Sequence, residues 1–129
     1  MLSIKRIHHA AVICSDYERS KRFYVDVLGL GIVNETYRAE RKSYKLDLRV
    51  GEQDQIELFS FPDAPERLSY PEARGLRHLA FEVDDIEAAV AALTAQGIEV
   101  EEIRTDETSG KRFTFFADPD GLPLELYEY

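Results

Sequence analysis

Four polar residues recur at matched spacings in two halves of the chain, and this recurrence restricts the fold more than any other feature. His9 stands seven residues before Asp16, and His78 stands seven residues before Asp85. From each aspartate to the glycine that stops the following helical segment is 13 residues in the first half, at Gly29, and 12 in the second, at Gly97. Downstream, IELF (56–59) answers LELY (124–127). Glu57 therefore follows His9 by 48 residues and Glu125 follows His78 by 47. Direct identity between the halves is slight, so the repeat lies in the spacing of the polar residues. A repeat of this length is one supersecondary unit used twice.

The unit can be read from local pattern. Segments 4–14, 30–37, 42–50 and 55–61 are rich in Val, Ile, Leu, Tyr and Phe and are expected to be strands. Between the first two lies SDYERSKRFYVDVLG, a helix with Ser15 and Glu18 as capping box and Gly29 as stop. Segment 62–75, PDAPERLSYPEARG, holds three of the five prolines and reads as a linker. The pattern then restarts, with a strand at 76–83 and a helix in DDIEAAVAALTAQG capped by Asp84 and Glu87. Strands are expected at 98–104, 112–117 and 122–129, with DPDG (118–121) as a tight turn. The expected fold is α+β, a single domain over 1–129. It comprises two βαβββ modules, 4–61 and 76–128, pairing into a curled mixed sheet.

Composition narrows the function. The net charge is −9, which disfavours nucleic acid and anionic membrane surfaces as partners. No apolar run approaches the roughly 20 residues of a membrane span, and no signal peptide is seen behind MLSIKR. The single cysteine, Cys14, allows no internal disulfide. It suits a reducing compartment, as a small buried residue. A cytoplasmic protein acting on a small molecule is expected.

Strand alternation places the four repeated residues. His9, Ala11 and Ile13 share one face of the first strand, and His8, Ala10, Val12 and Cys14 share the other. In the fifth strand His78, Ala80 and Glu82 lie opposite Arg77, Leu79, Phe81 and Val83. The apolar set is expected under the helices, which turns His78, and His9 by register, to the open face. Glu57 and Glu125 each sit between apolar neighbours that point the other way. A carboxylate there is costly to bury without a partner or a metal. Two imidazoles and two carboxylates make a set for one divalent ion, Ni, Zn, Co, Mn or Fe. Taken singly, each His or Glu is as well explained as a hydrogen-bonded or solvated residue; the matched spacing joins them.

With HH near the N-terminus, IELF, RHLAF, DPDG and LEL in paired βαβββ halves, the chain resembles the vicinal oxygen chelate superfamily. Glyoxalase I (lactoylglutathione lyase) is that family's best-known type. ELFSFP, GLRHLAF, GKRFTFF and DPDGLPLELYE resemble more closely its small bacterial YaeR-type branch. The resemblance implies a metal cup with His9, Glu57, His78 and Glu125 as ligands, in one chain or shared across a homodimer. It implies bidentate binding of two neighbouring substrate oxygens and an enediolate-type intermediate, with Glu125 favoured over Glu57 as the base. It offers Arg74, Lys111 and Arg112 as grips for an anionic substrate, though each also reads as an ordinary surface charge. Phe59, Phe61 and Tyr127 are offered as an apolar wall, or as plain core aromatics.

Glyoxalase I carries an arginine four residues after its first ligand and an asparagine four after its second, both holding glutathione. Here Ile13 and Phe61 stand at those places, and an apolar side chain pairs with neither a carboxylate nor an ammonium. The glutathione hemithioacetal of methylglyoxal is therefore expected to be a poor substrate. The expected activity is a metal-dependent lyase or isomerase on a small compound with vicinal oxygens. The alternatives are a sequestering protein of the same fold, whose members usually lack the ligands, and a ring-cleaving dioxygenase or thiol transferase, which use three.

Overall fold

Each half of the chain builds one four-stranded sheet backed by a helix. The computed structural model describes residues 1–129, which divide into two units, Met1–Pro65 and Glu66–Tyr129. In the first unit β1 (Ala10–Cys14) is followed by α1 (Tyr17–Arg22), which runs into a π-helical turn over Phe23–Val27. Then come β2 (Gly31–Arg38), a 3-10 turn (Ala39–Arg41), β3 (Ser43–Val50) and β4 (Asp54–Ser60). The second unit contains β5 (Leu79–Val83), α2 (Ile86–Ala95), β6 (Arg104–Thr105), β7 (Arg112–Ala117) and β8 (Pro123–Glu128).

The two sheets have the same strand order, β1-β4-β3-β2 and β5-β8-β7-β6. In each, the first strand runs parallel to the last, and the other pairs are antiparallel. A parallel pair needs a crossover, and the helix and intervening strands supply it. Register repeats as well: Ala11 pairs with Glu57, and Ala80 with Glu125.

The aspartates that served as the sequence ruler are the helix caps. Asp16 accepts from the Arg19 N–H at 3.1 Å, and Asp85 from the Ala88 N–H at 3.0 Å. The expected caps, Ser15 and Asp84, are each one residue too early. An aspartate one position later reaches the same orphan donors with a charged acceptor, which suits a helix N-terminus. Past α2, Gly97 has φ of 80°. The Gly97 and Ile98 N–H groups bond back to Thr94 and Leu93, which closes the helix end.

Alternation divides each sheet into a packed and an open face. Val12, Cys14, Leu46, Leu48, Ile56 and Leu58 are buried on the packed face of the first sheet, with Phe23 and Tyr24 from the helical segment. Burying each such side chain stabilises by about 2 kcal/mol. The second unit buries Phe116, Leu124 and Leu126, with Ile86 and Leu93 from α2.

Three expected strands are shorter than the sequence suggests: the one at 76–83 begins at Leu79, so His78, like His9, stands one residue before its strand. Residues 4–9 are exposed and lie outside β1. The parallel ladder with β4 begins only at Ala10, opposite Ile56. Residues 98–103 are not a strand. There the Thr114 hydroxyl donates to the Glu101 carbonyl at 2.7 Å, and one backbone bond joins the Glu101 N–H to Phe115. A side chain thus takes an acceptor that a ladder would have used. No helix is long and apolar enough to cross a membrane.

Candidate metal and substrate site

Each unit carries one histidine–glutamate pair on the open face of its sheet. His9 Nε2 lies 3.5 Å from Glu57 Oε1, and His78 Nε2 lies 3.2 Å from Glu125 Oε1. The glutamates are nearly buried and the histidines part-exposed: side-chain accessibility is 11% and 13% against 40% and 35%. Two donors bound to one divalent ion at about 2.1 Å stand about 3.0 Å apart in cis-octahedral geometry and about 3.4 Å apart in tetrahedral geometry. Both pairs have a bite close to these values, and imidazole with carboxylate suits the borderline metals. The donors come as two pairs, one per unit. No group of three or more His, Cys, Asp and Glu side chains stands ready around one point.

The two pairs have different surroundings. Glu57 Oε2 accepts from Gln55 Nε2 at 3.1 Å, and Lys45 Nζ lies 3.8 Å from it while bonding Asp47 at 2.6 Å. That leaves Oε1 toward His9. Glu125 has His78 as its polar contact, with Ala80 and Phe115 as its cross-strand neighbours. One carboxylate has two further polar partners; the other has the histidine alone.

The histidines at 8 and 9 divide their roles. The two Nδ1 atoms are 2.9 Å apart, so one proton can join the rings. With that proton on His9, its Nε2 presents a lone pair to the Glu57 side. His8 is exposed and lies before β1, not on the helix-packed face where strand alternation puts it. His78 is set edge-on against Phe115, with centroids 5.1 Å apart.

A groove of about 1040 Å³ opens beside His78, with Tyr70, Arg77, Arg104 and Phe115 among its walls. Another of about 650 Å³ opens beside Glu125, with Arg104, Asp106 and Phe113. Arg104 borders both and lies over the rings of Phe113 and Phe115, at 5.1 and 5.8 Å. Tyr127 is on the Glu125 face of β8. Its hydroxyl donates to Asp106 at 3.0 Å and contacts Ser109. The Thr108 N–H, and then Tyr127, hold the Asp106 carboxyl below the usual range.

The other sequence candidates fare differently. Arg112 lies on the opposite side of β7 from Phe113 and Phe115, with two bonds to Glu128 and one to Glu87. It does not line the Glu125 face, and its donors are committed to structure. Lys111 is exposed with its ammonium 4.8 Å over the Tyr129 ring. Arg74 is exposed in the connecting segment. Phe59 and Phe61 stack at 5.9 Å on the Glu57 side, but under arginines. Gln55, Lys45, Arg38 and Arg104 were missed. Strand register brings in Lys45, opposite Phe59, and Arg104, opposite Phe113, which spacing along the chain does not give; Gln55 shares the Glu57 face two residues earlier on β4.

The profile of the Glyoxalase/Bleomycin resistance protein/Dioxygenase superfamily matches residues 6–126. The chain belongs to this superfamily. It is 64% identical to YwkD of Bacillus subtilis (strain 168) over 125 residues, 97% of this chain and 98% of that protein. It is 59% identical to YaeR of Escherichia coli (strain K12), with 99% of each chain covered. Lactoylglutathione lyase of Haemophilus influenzae is 32% identical, over 95% of this chain and 92% of that enzyme. The crystal structure of SMU.1112c superposes with a TM-score of 0.94 at 49% identity, covering 98% of this chain and all of that one.

Proposed function

We propose that this superfamily member is a divalent-metal-dependent lyase or isomerase of glyoxalase I type, acting on a small compound with vicinal oxygens. The observation that carries the proposal is the pair of His–Glu couples at repeat-related positions, with bites of 3.5 and 3.2 Å. In this reading His9, Glu57, His78 and Glu125 hold one ion, with the two couples supplied by one chain or shared across a cytoplasmic homodimer. The bound ion would supply Lewis-acid polarisation of two neighbouring substrate oxygens.

The chain's own residues divide the remaining work. Glu57, held by Gln55 and Lys45, is the fixed ligand. Glu125 takes the proton from the carbon next to a carbonyl and returns it to the neighbouring position. Its freedom from other hydrogen bonds lets it swing between ligation and proton transfer. Phe113 and Phe115 keep that side of the groove apolar, which limits water at the reacting carbon. Four donors favour this reading over a sequestering protein or a three-ligand dioxygenase. Ile13 and Phe61 argue against glutathione as part of the substrate.

The test is elemental analysis of protein purified without added metal. Wild type is expected to carry about one divalent ion per set of four donors, and His78→Ala to lose it. Equal metal in both proteins overturns the reading.

A further inference from the structure

The geometry points to an anion subsite on the first unit: Arg38 and Arg41, set on the stacked rings of Phe59 and Phe61, receive a carboxylate or phosphate on the substrate. The Arg38 guanidinium carbon lies 5.0 Å from the Phe59 centroid and 5.7 Å from that of Phe61, and Arg41 lies 5.3 Å from Phe61. Ring faces fix the flat side of a guanidinium and leave its N–H edge for a planar anion. Arg38 spends one donor on the fully buried Ser43 hydroxyl, at 3.1 Å, which anchors one corner. Its Nε is buried and has no partner. That N–H is closed to solvent, so the donor left for an incoming anion is Nη1, which makes no hydrogen bond within the chain. The chain has 25 acidic residues, and neither arginine forms an ion pair with any of them.

The position relative to the metal donors sets the kind of ligand. Phe59 is two residues beyond Glu57 on β4, so it shares the Glu57 face, one strand repeat of about 7 Å away. A substrate that chelates beside His9 and Glu57 would reach the arginines with an acidic group about five bonds from its vicinal oxygens, given that strand repeat. The subsite rests on the proposed chelation but is testable without it.

The experiment titrates metal-free, full-length protein with inorganic phosphate and, separately, with acetate, at ionic strength held constant with chloride. The readout is the arginine Nε–Hε resonances by NMR. The Arg38 resonance is expected to shift saturably with at least one anion, while that of Arg22 on α1 stays put. The anion that saturates at lower concentration names the class. Arg41→Gln, at an exposed position, is expected to weaken binding about tenfold while leaving the fold and metal content unchanged. A shift at Arg38 no larger than at Arg22, or equal affinity in Arg41→Gln, overturns the subsite. An intact anion response in a protein that binds no metal leaves the subsite standing and overturns the lyase reading instead.

Discussion

Gln55→Ala should weaken metal binding without weakening the fold. The amide donates to Glu57 Oε2 at 3.1 Å and so turns Oε1 toward His9. A hydrogen bond to a charged group contributes about 1.5–3 kcal/mol. Lys45, at 3.8 Å from the same oxygen, keeps part of the hold after the amide is gone, which favours the lower part of that range. A loss of about 1–2 kcal/mol corresponds to a five- to thirtyfold rise in Kd. Competition against a chromophoric chelator, with Zn or Ni, measures it directly. Glu82→Gln, at an exposed site on β5, is the control and should leave Kd unchanged. Thermal melting of the metal-free protein separates ligand orientation from stability. A Kd within twofold of wild type would refute the idea that Gln55 orients Glu57.

Further outcomes can be checked in the same way. His8→Ala removes the outer partner of His9, and loss of such a partner weakens metal binding by about tenfold or more; an unchanged affinity in the same competition assay would show that His9 needs no orienting neighbour. If the site is shared across a homodimer, refolding His9→Ala together with His78→Ala restores metal to about a quarter of the sites, because half of the dimers are mixed and one site in each is intact; if each chain builds its own site, the mixture restores none. The Glu128 carboxyl is held below its ordinary value of 4.5, chiefly by Arg112 and then by the Ile86 N–H, and Glu35 is lowered by Lys21 and Tyr17. Depressed carboxyls stabilise the fold above their unfolded values, and that contribution is lost as pH falls through the folded ones. The melting-temperature difference between wild type and Arg112→Ala should therefore be full at pH 7 and shrink below about pH 4.5.

The sequence carried the repeat because helix caps and stopping glycines are local signals. Asp16, Asp85, Gly29 and Gly97 are set by the few residues around them, and they located the His and Glu positions on both sides. β1 is a strand only where β4 pairs with it, Ala10 meeting Ile56 46 residues farther along, and no local pattern reports that. Segment 98–101 alternates in burial as a strand does, yet its carbonyl at Glu101 goes to the Thr114 hydroxyl. Periodicity reports the packed face, not who takes the hydrogen bond. Gln55 meets Glu57 along β4 itself, whereas the same limit hid Arg38 and Arg104, whose roles come from residues on other strands. It also made Arg112 look like a substrate grip, when its position on β7 gives it to Glu128 and Glu87.

The parallel pairing of first strand with last has a consequence for how the protein is made. His9 meets Glu57, and His78 meets Glu125, only after the final strand of each sheet has docked beside the first. Closing that loop costs about 3 kcal/mol of chain entropy for some 46 residues, and the packed face must repay it before either pair exists. A chain emerging from the ribosome therefore shows a histidine long before the glutamate that completes its couple. Capture of a stray ion by the growing chain is limited to single, weak donors. On the proposed metal reading, a bound ion would report that the first and last strands of each sheet have paired.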